Sequence, residues 1–224
     1  MLDVAASTLR HLARSQLDGI ARAADVLGAR LLAGGSVYTF GTGHSRSVAM
    51  ELAARAGGLS AVKELVLDDL VYAGRASRQE LLDGRLERSP DAALALLEGV
   101  EMGAGDAMVI ISHSGRNGAT VEMALQARRR DLPVVAVTSL AHSQAVSSRH
   151  PGGQRLFEVA TLVIDTGAPY ADTAISLGPD VGVCSVSSFA GIVVAQALNA
   201  ELVARYVRAG AAPPLLPSRN LAER

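Results

Sequence analysis

Hydrophobic residues near the start of the chain recur at the three- and four-residue spacing of an α-helix. Between about Leu2 and Leu32 they alternate with Arg, Asp and Gln, and a Gly-Gly pair follows. This pattern predicts a long leading helix or a pair of helices. We therefore divide the chain into an N-terminal helical segment, residues 1–35, a main domain, residues 36–210, and a C-terminal tail, residues 211–224.

Beyond residue 35, short apolar runs alternate with helical patterns. The run Ala107–Ile111 is continuously apolar, as expected of a strand buried on both faces of a parallel sheet. The alternation predicts a doubly wound α/β domain with helices on both faces of the sheet. The predicted strands are Ser36–Phe40, Ala107–Ile111, Val134–Val137 and Leu162–Asp165, and the predicted helices are Val48–Ala56, Asp91–Val100, Ala119–Arg130, Ser143–Ser148 and Ser185–Val207.

Residues 59–90 show no clear hydrophobic period. Charged residues alternate there with single apolar residues, and Gly74 and Gly84 interrupt any longer pattern. No clear strand follows the Gly57-Gly58 pair. We interpret this stretch as a lid or connector.

Polar loops follow the predicted strands, and ligands of doubly wound folds bind at the carboxyl ends of the strands. Ser112, Ser114 and Asn117 lie between a buried strand and a helix, where the positive end of the helix dipole attracts a phosphate. The alternative is an N-cap, for which Ser and Asn are common residues. One cap needs only one such side chain, so the extra hydroxyl, with His113 and Arg116 beside it, favours an anion site.

The loop after the first strand contains Gly41 and Gly43 in the G-x-G spacing that opens a dinucleotide-binding fingerprint. Arg46 stands at the position of the third glycine, and no clear strand with an acidic end follows. We therefore expect no nucleotide cofactor. The glycines equally allow the backbone to approach a sugar closely, with the Ser45 hydroxyl on a phosphate or sugar oxygen.

Four titratable side chains are candidates for proton transfer. His44 lies in the first loop, where the alternative role is a structural hydrogen bond. Glu51 lies in the helix that follows, either as an exposed charge or, if it points toward the end of the sheet, as a carboxylate with a raised pKa suited to removing a proton next to a carbonyl. His142 and His150 flank the predicted helix Ser143–Ser148, and either could titrate near neutral pH or cap that helix.

Composition and charge narrow the classes of function. The 224-residue chain is 49% apolar with a net formal charge of −1, so we expect it to bind neither nucleic acid nor an anionic membrane. Its most apolar late stretch, Phe189–Leu198, is roughly half as long as a membrane span. Cys184 is the single cysteine, which excludes an intramolecular disulfide and is typical of a protein in a reducing cytoplasm.

Several motifs in order along the chain resemble the SIS (sugar isomerase) family. Phe40–Ser45 and Ile110–Asn117 are similar to the two signature loops of SIS domains, and the S-x-S-G-x-[TN] pattern of the second is the more diagnostic. The resemblance covers Val37 to Asn220. The motifs that resemble a bacterial group of stand-alone SIS proteins are Thr138-Ser139-Leu140, His142-Ser143, Ser148-Arg149-His150 and Pro213-Pro214-Leu215.

This resemblance implies a fold, an assembly and a ligand. The fold is a flavodoxin-like αβα sandwich with a five-stranded parallel sheet, preceded by the N-terminal helical segment. The assembly is a homodimer or larger oligomer with its sites at subunit interfaces, and the ligand is a phosphorylated sugar. The residues that match the family's binding loops are Ser112, Ser114 and Asn117 for the phosphate, Arg116 as a second phosphate contact, Thr42, Gly43 and Ser45 for phosphate or sugar, and Ser187 and Ser188 for a loop that caps the sugar.

Two departures separate the chain from the best-known members of the family. Phosphoheptose isomerases and muramic acid phosphate etherases carry a glutamate base where this chain has Arg55, so Glu51, one turn earlier, would have to serve. Isomerases also place a histidine in the last helix, and Ser185–Val207 contains none. Both differences argue against a simple heptose isomerase.

We therefore expect a cytoplasmic enzyme that acts on a hexosamine phosphate or a related sugar 6-phosphate without a metal or a nucleotide. Glu51 or His44 would remove the proton alpha to the open-chain C1 carbonyl, and loop hydroxyls and N–H groups would stabilise the resulting anion. Isomerisation, epimerisation and dehydration or ether cleavage all proceed from that anion. Arg46 would contact a substrate carboxylate if there is one.

The alternative function is a non-catalytic phosphosugar sensor, because SIS modules also serve as effector-binding domains of transcription regulators. No helix-turn-helix with a basic face precedes the main domain, so a sensor would need a separate partner chain.

Overall fold

The computed structural model of this protein describes residues 1–218, so the end of the predicted C-terminal tail lies outside the described residues. The leading segment is a pair of helices, α1 (Leu2–Ser15) and α2 (Leu17–Leu32), which is one of the two predicted arrangements. Gln16 separates them, and its side-chain oxygen accepts a hydrogen bond from the Asp165 backbone N–H at 3.0 Å. This bond ties the junction of the helix pair to the last strand of the sheet.

The sheet has five strands, and every neighbouring pair is parallel. The strand order is β2-β1-β3-β4-β5, with helices on both faces, which confirms the predicted α/β fold class. β1, β3 and β4 are buried along their whole length, as their continuous apolar runs predict. The strands are β1 (Val37–Gly41), β2 (Val62–Leu65), β3 (Ala107–Ile111), β4 (Val134–Thr138) and β5 (Leu162–Asp165).

The expectation that no strand follows Gly58 is wrong. Strand β2 pairs with β1, with Val37 opposite Val62, and forms an edge of the sheet. Only Val62 and Leu65 are buried in it, while Lys63 is exposed, so this edge strand lacks the apolar run that identifies a central strand. The rest of the connector forms three short helices, α4 (Asp68–Tyr72), α5 (Arg78–Leu82) and α6 (Arg85–Arg88).

The other helices follow the predicted pattern with shifted ends, except that one begins earlier and the short helix Leu156–Val159 was not predicted. The helix predicted at Ser143–Ser148 begins earlier, because the Ser139 side chain caps it by accepting the His142 backbone N–H at 3.1 Å. His142 therefore lies inside the helix. A short antiparallel hairpin, β6 (Ile175–Gly178) and β7 (Val181–Val183), was not predicted. The helices are α3 (Arg46–Ala53), α7 (Pro90–Leu97), α8 (Gly118–Arg129), α9 (Leu140–Ala145), α10 (Leu156–Val159) and α11 (Ser187–Arg208).

Two apolar layers cover the two faces of the sheet. One contains α1, α2, α3 and α11, packed on strand residues such as Val109 and Val137. The other contains α7, α8 and α10, packed on residues such as Ile110 and Ala136. Because alternate residues of a strand point to opposite faces, the same central strands supply both layers.

Helix α11 is long and apolar enough to span a membrane by length and composition alone. It is longer than the apolar stretch Phe189–Leu198 indicated from sequence. It packs against α2 and α3, and its buried face includes Leu198 and Leu202, so in this fold it acts as a core helix.

Candidate functional site

The order of the strands places a crevice between β1 and β3. The chain moves outward from this pair in both directions, and α3 and α8, which follow the two strands, pack on opposite faces of the sheet. Such a switch point is where doubly wound folds bind ligands. The loops that open there are residues 42–45 and 112–117, the two loops that sequence reasoning selected.

The 112–117 loop is held in a tight turn by its own residues. The Ser112 hydroxyl accepts a hydrogen bond from the Gly115 backbone N–H at 3.1 Å. Gly115 has φ +58°, and a Cβ placed on it would lie 2.8 Å from the Ser143 Oγ atom and 3.3 Å from the Thr138 Oγ1 atom. Only glycine fits here, both for its backbone conformation and for the space.

The N-terminus of α8 has no side-chain cap. Asn117 is the N-cap residue, but its amide nitrogen donates to Glu87 Oε1 at 3.2 Å and its amide oxygen accepts from Arg149 at 2.9 Å. The Thr120 hydroxyl in the first turn is buried and has no hydrogen-bond partner within residues 1–218. Within residues 1–218, no side chain caps the backbone N–H groups of this first turn, which is made of buried residues.

The other two polar residues of this loop differ in how firmly they are held. The Arg116 guanidinium donates to the Ser147 hydroxyl at 3.3 Å, while its Nε atom is buried without a partner among the described residues. Ser114 is half-buried. Arg116 and Arg149 place two cations beside the uncapped helix end, which adds to its attraction for an anion.

A cleft of about 340 Å³ opens beside the first loop. Thr42 and Gly43 line one side of it, and Gly84 and Glu87 of the connector line the other. The connector is thus a wall of the cleft, in keeping with its interpretation as a lid or connector.

Arg46, at the same cleft, is already paired. It donates to Glu64 Oε1 at 3.2 Å and to Asp68 Oδ2 at 3.0 Å. Burial raises the pKa of Glu64, and the hydrogen bond from Arg46 opposes that shift. Both carboxylates come from the connector, so Arg46 fixes β2 and α4 against the first loop, and its charge is largely neutralised.

A second, smaller crevice lies on the α11 side of the loops. Ser45, His113, Ser187 and Ser188 line it together. The Ser187 hydroxyl donates to Asp172 Oδ2 at 2.5 Å, and Asp172 Oδ1 accepts the Ser187 backbone N–H at 2.8 Å. The N-terminus of α11 is therefore capped by a carboxylate, and Ser188 is the serine of this loop whose hydroxyl is not committed to Asp172.

The structure does not bring Glu51 and His44 into either cavity. The Glu51 carboxylate, with its side chain 16% exposed, pairs with Arg55 at 3.1 Å and accepts from Gln196 at 2.5 Å. Gln196 lies eight residues beyond Ser188, or roughly 12 Å along α11 at 1.5 Å per residue. His44 is exposed on the first loop, next to Gly43.

Sequence reasoning named His113 and His142 separately but did not pair them. His113 Nε2 lies 3.1 Å from His142 Nδ1, and the His142 ring stacks on Tyr170 with centroids 5.0 Å apart. Burial lowers the pKa of both histidines, and the negative charge of Asp172 opposes the shift in each. The sequence shows that each histidine follows a predicted central strand. The two histidines meet because those strands, β3 and β4, are neighbours in the sheet.

The fourth candidate, His150, belongs to a separate buried pair. Its Nε2 atom lies 2.7 Å from Glu122 Oε2, and its Nδ1 accepts the Gly152 backbone N–H at 3.0 Å. Within residues 1–218, no group of three or more His, Cys, Asp and Glu side chains is arranged to hold a metal ion.

Sequence relatives extend over nearly the whole chain. The family model of the SIS domain matches residues 2–139. A UPF0309 protein of Halalkalibacterium halodurans is 35% identical over 214 residues, which cover 95% of this chain and 87% of that protein. A UPF0309 protein of Streptomyces coelicolor is 35% identical over 221 residues, covering 98% and 87% of the two chains.

Solved structures share the fold at low identity. Phosphoheptose isomerase from Neisseria gonorrhoeae superimposes with a TM-score of 0.61 at 16% identity over 91% of this chain and 95% of that chain. Phosphoheptose isomerase from Francisella tularensis gives 0.62 at 14% identity, covering 90% and 93%. A protein of Escherichia coli CFT073 in complex with A5P gives 0.58 at 18% identity, covering 93% and 87%.

Proposed function

This chain belongs to the SIS domain family, and from that premise we propose that it is a cytoplasmic enzyme acting on a phosphorylated sugar, most specifically a hexosamine phosphate or related sugar 6-phosphate. It works as a homodimer or larger oligomer with sites at the subunit interfaces. It requires neither metal nor nucleotide, and its partners include neither nucleic acid nor a membrane.

The observation that carries the proposal is the uncapped N-terminus of α8 at the switch point of the sheet. Asn117 turns its side chain toward Glu87 and Arg149, so no side chain caps the first-turn N–H groups, which we propose as donors to the phosphate. These groups are donors, and the helix dipole adds positive potential, which suits a phosphate. The cleft beside Thr42 and Gly43 has room for the attached sugar.

The proposed chemistry is removal of the proton alpha to the open-chain C1 carbonyl. The C–H electron pair forms the C1–C2 double bond of an enediol-like anion, and the proton goes to Glu51 or His44. Hydroxyl and N–H groups of the loops, from Ser45, Ser188 and Arg116 among others, stabilise the anion. Reprotonation at C1 gives isomerisation, reprotonation at C2 gives epimerisation, and loss of the C3 substituent gives elimination.

The test is a thermal-shift panel of hexose, hexosamine, N-acetylhexosamine and heptulose phosphates, each beside its unphosphorylated sugar. A sugar phosphate that stabilises the protein is then incubated with it in deuterated water and followed by NMR. Deuterium at C1 or C2, or loss of the C3 substituent, identifies the reaction. Equal stabilisation by the unphosphorylated sugar would contradict the phosphate assignment.

A phosphosugar sensor is the second candidate, and the placement of Glu51 favours it. In this protomer the Glu51 carboxylate is held by Arg55 and Gln196 and lines neither cavity, so one proposed base is engaged elsewhere. A sensor binds the sugar phosphate and leaves it unlabelled in deuterated water. For an enzyme, Glu51→Gln abolishes labelling while binding persists, with the exposed Glu101→Gln as the matched control.

A further inference from the structure

We propose that His113 Nδ1 accepts a hydrogen bond from a hydroxyl or amino group of the bound sugar. The contact with His142 determines which nitrogen of the His113 ring carries the proton. The proposal rests on the proposed phosphosugar site and deepens it, because it assigns the contact of one substituent of the sugar. It starts from a hydrogen-bond chain of three members: the Ala171 backbone, His142 and His113.

The Ala171 backbone N–H can only donate, and this fixes the donor and the acceptor in each of these hydrogen bonds. The Ala171 backbone N–H lies 3.0 Å from His142 Nδ1. A backbone N–H can only donate, so His142 Nδ1 carries no proton. The contact of 3.1 Å between His142 Nδ1 and His113 Nε2 is then attractive only with a proton on His113 Nε2, which shares the single lone pair of His142 Nδ1 with the Ala171 N–H.

A neutral imidazole has one protonated nitrogen, so His113 Nδ1 carries a lone pair. That atom is buried and has no hydrogen-bond partner within residues 1–218. A buried acceptor without a donor is costly, and a bound ligand that supplies a donor removes the cost. His113 lines a crevice of about 10 Å³ with Ser45, Ser187 and Ser188, which has room for one hydroxyl or amino group of a ligand and not for a sugar ring.

The surroundings of the pair keep it neutral and in place. Burial lowers the pKa of His113, with Asp172 opposing and His142 adding to the shift. Arg116 also lowers the pKa of His142. No other titratable group that shifts the pKa of either ring is found within residues 1–218.

The segment that supplies the obligate donor is itself strained. Ala171 and Asp172 have φ values of +59° and +60°, a region that residues with a Cβ rarely adopt. This conformation aims the Ala171 N–H at His142 while Asp172 caps α11 and binds Ser187. Backbone strain of this kind is concentrated at functional sites.

An acceptor discriminates between the two ends of a phosphorylated sugar. The dianionic phosphate of a sugar ester has only acceptor oxygens and cannot donate to the lone pair of His113 Nδ1, whereas a hydroxyl or amino group can. The donors at the N-terminus of α8 suit the phosphate. The two sites are therefore complementary to opposite ends of one ligand.

The experiment combines binding with a direct reading of the tautomer. Glucosamine 6-phosphate and inorganic phosphate are titrated against the wild type and against His113→Leu, His113→Asn and the exposed control His11→Gln. We expect His113→Leu to weaken glucosamine 6-phosphate by about tenfold and leave inorganic phosphate unchanged. His113→Asn keeps an acceptor near Nδ1 and should retain most of the affinity. Nitrogen NMR of the free protein should show His113 protonated at Nε2.

The outcomes separate this inference from the proposed function. If the wild type binds neither ligand, the proposed function fails and the inference with it. If the wild type binds glucosamine 6-phosphate and His113→Leu binds it as tightly, or weakens both ligands equally, only the inference is overturned. A proton on Nδ1 of His113 overturns it even where the leucine variant does not fold.

Discussion

Helices α8 and α11 both begin beside polar loops at the same edge of the sheet, yet their first N–H groups meet different partners. At α11, the Asp172 carboxylate accepts the backbone N–H groups of Val186 and Ser187 and the Ser187 hydroxyl. At α8, the N-cap residue Asn117 makes no capping bond, because Glu87 and Arg149 bind its side chain.

The difference shows how serine-rich helix starts with similar composition can take different roles. A carboxylate at α11 already satisfies the helix end and would repel a second anion. The N–H groups at α8, next to Arg116 and Arg149, have no side-chain cap. The contrast supports α8, rather than α11, as the proposed phosphate site.

The largest effect is expected from Gly115→Ala, which disrupts the 112–117 loop before α8. The new Cβ would lie 2.8 Å from Ser143 Oγ in a backbone conformation that alanine disfavours. We expect the free energy of unfolding to fall by about 3 kcal/mol, and any stabilisation by phosphate to disappear, in urea titrations with and without phosphate.

Gly103→Ala is the matched control for this variant, since nothing lies within 4 Å of its added Cβ. Combining Gly115→Ala with Ser143→Ala should restore part of the stability. A Gly115→Ala protein as stable as the wild type would show that the loop is not packed as described.

Asp172→Ala tests the α11 side. Removing the carboxylate leaves the Val186 and Ser187 N–H groups without their acceptor, so we expect a loss of about 1–2 kcal/mol in the free energy of unfolding. Stabilisation by inorganic phosphate should persist, because the phosphate binds at α8. Asp172→Asn keeps an acceptor oxygen and should lose less. If phosphate stabilises the wild type but not Asp172→Ala, the phosphate site depends on Asp172, and its assignment to α8 is contradicted.

A smaller effect is expected from pH. Folding lowers the pKa values of His113 and His142 below 6.5, so the unfolded chain binds more protons than the folded protein just below that pH. The contribution to stability is complete above pH 6.5 and decreases as pH falls below it. Thermal unfolding between pH 8 and pH 5 measures this slope, which should be shallower in His142→Gln. An unchanged slope in that variant would mean that the pair is not responsible.

The smallest effect is expected from Glu87→Gln, which sharpens the contrast. The new amide can still accept from Asn117, but the negative charge beside the uncapped end of α8 is gone. We expect phosphate or phosphosugar affinity to rise about two- to fivefold at low salt, and the gain to shrink as salt is added. Glu101→Gln, at an exposed position, is the control. Weaker binding by Glu87→Gln would place the phosphate elsewhere.

The sequence by itself determined the central strands and the loops that follow them. Ala107–Ile111 and Val134–Val137 are apolar without interruption, and such local runs identify buried parallel strands. The polar loops after them could then be placed at one edge of the sheet, because parallel strands end at the same edge. Motif resemblance supplied the family for the same reason, since its signature residues are contiguous in the chain.

Only the tertiary structure decided which partner each polar side chain takes. Asn117 reads as a helix cap in the sequence, but Glu87, 30 residues earlier, and Arg149, 32 residues later, bind its amide. Likewise, His113 Nε2 contacts His142 Nδ1, which lies 29 residues away in the chain. Hydrogen bonds act over about 3 Å and between groups from any part of the chain, so local pattern cannot assign them, whereas hydrophobic burial leaves a periodic signal that can be read from the sequence.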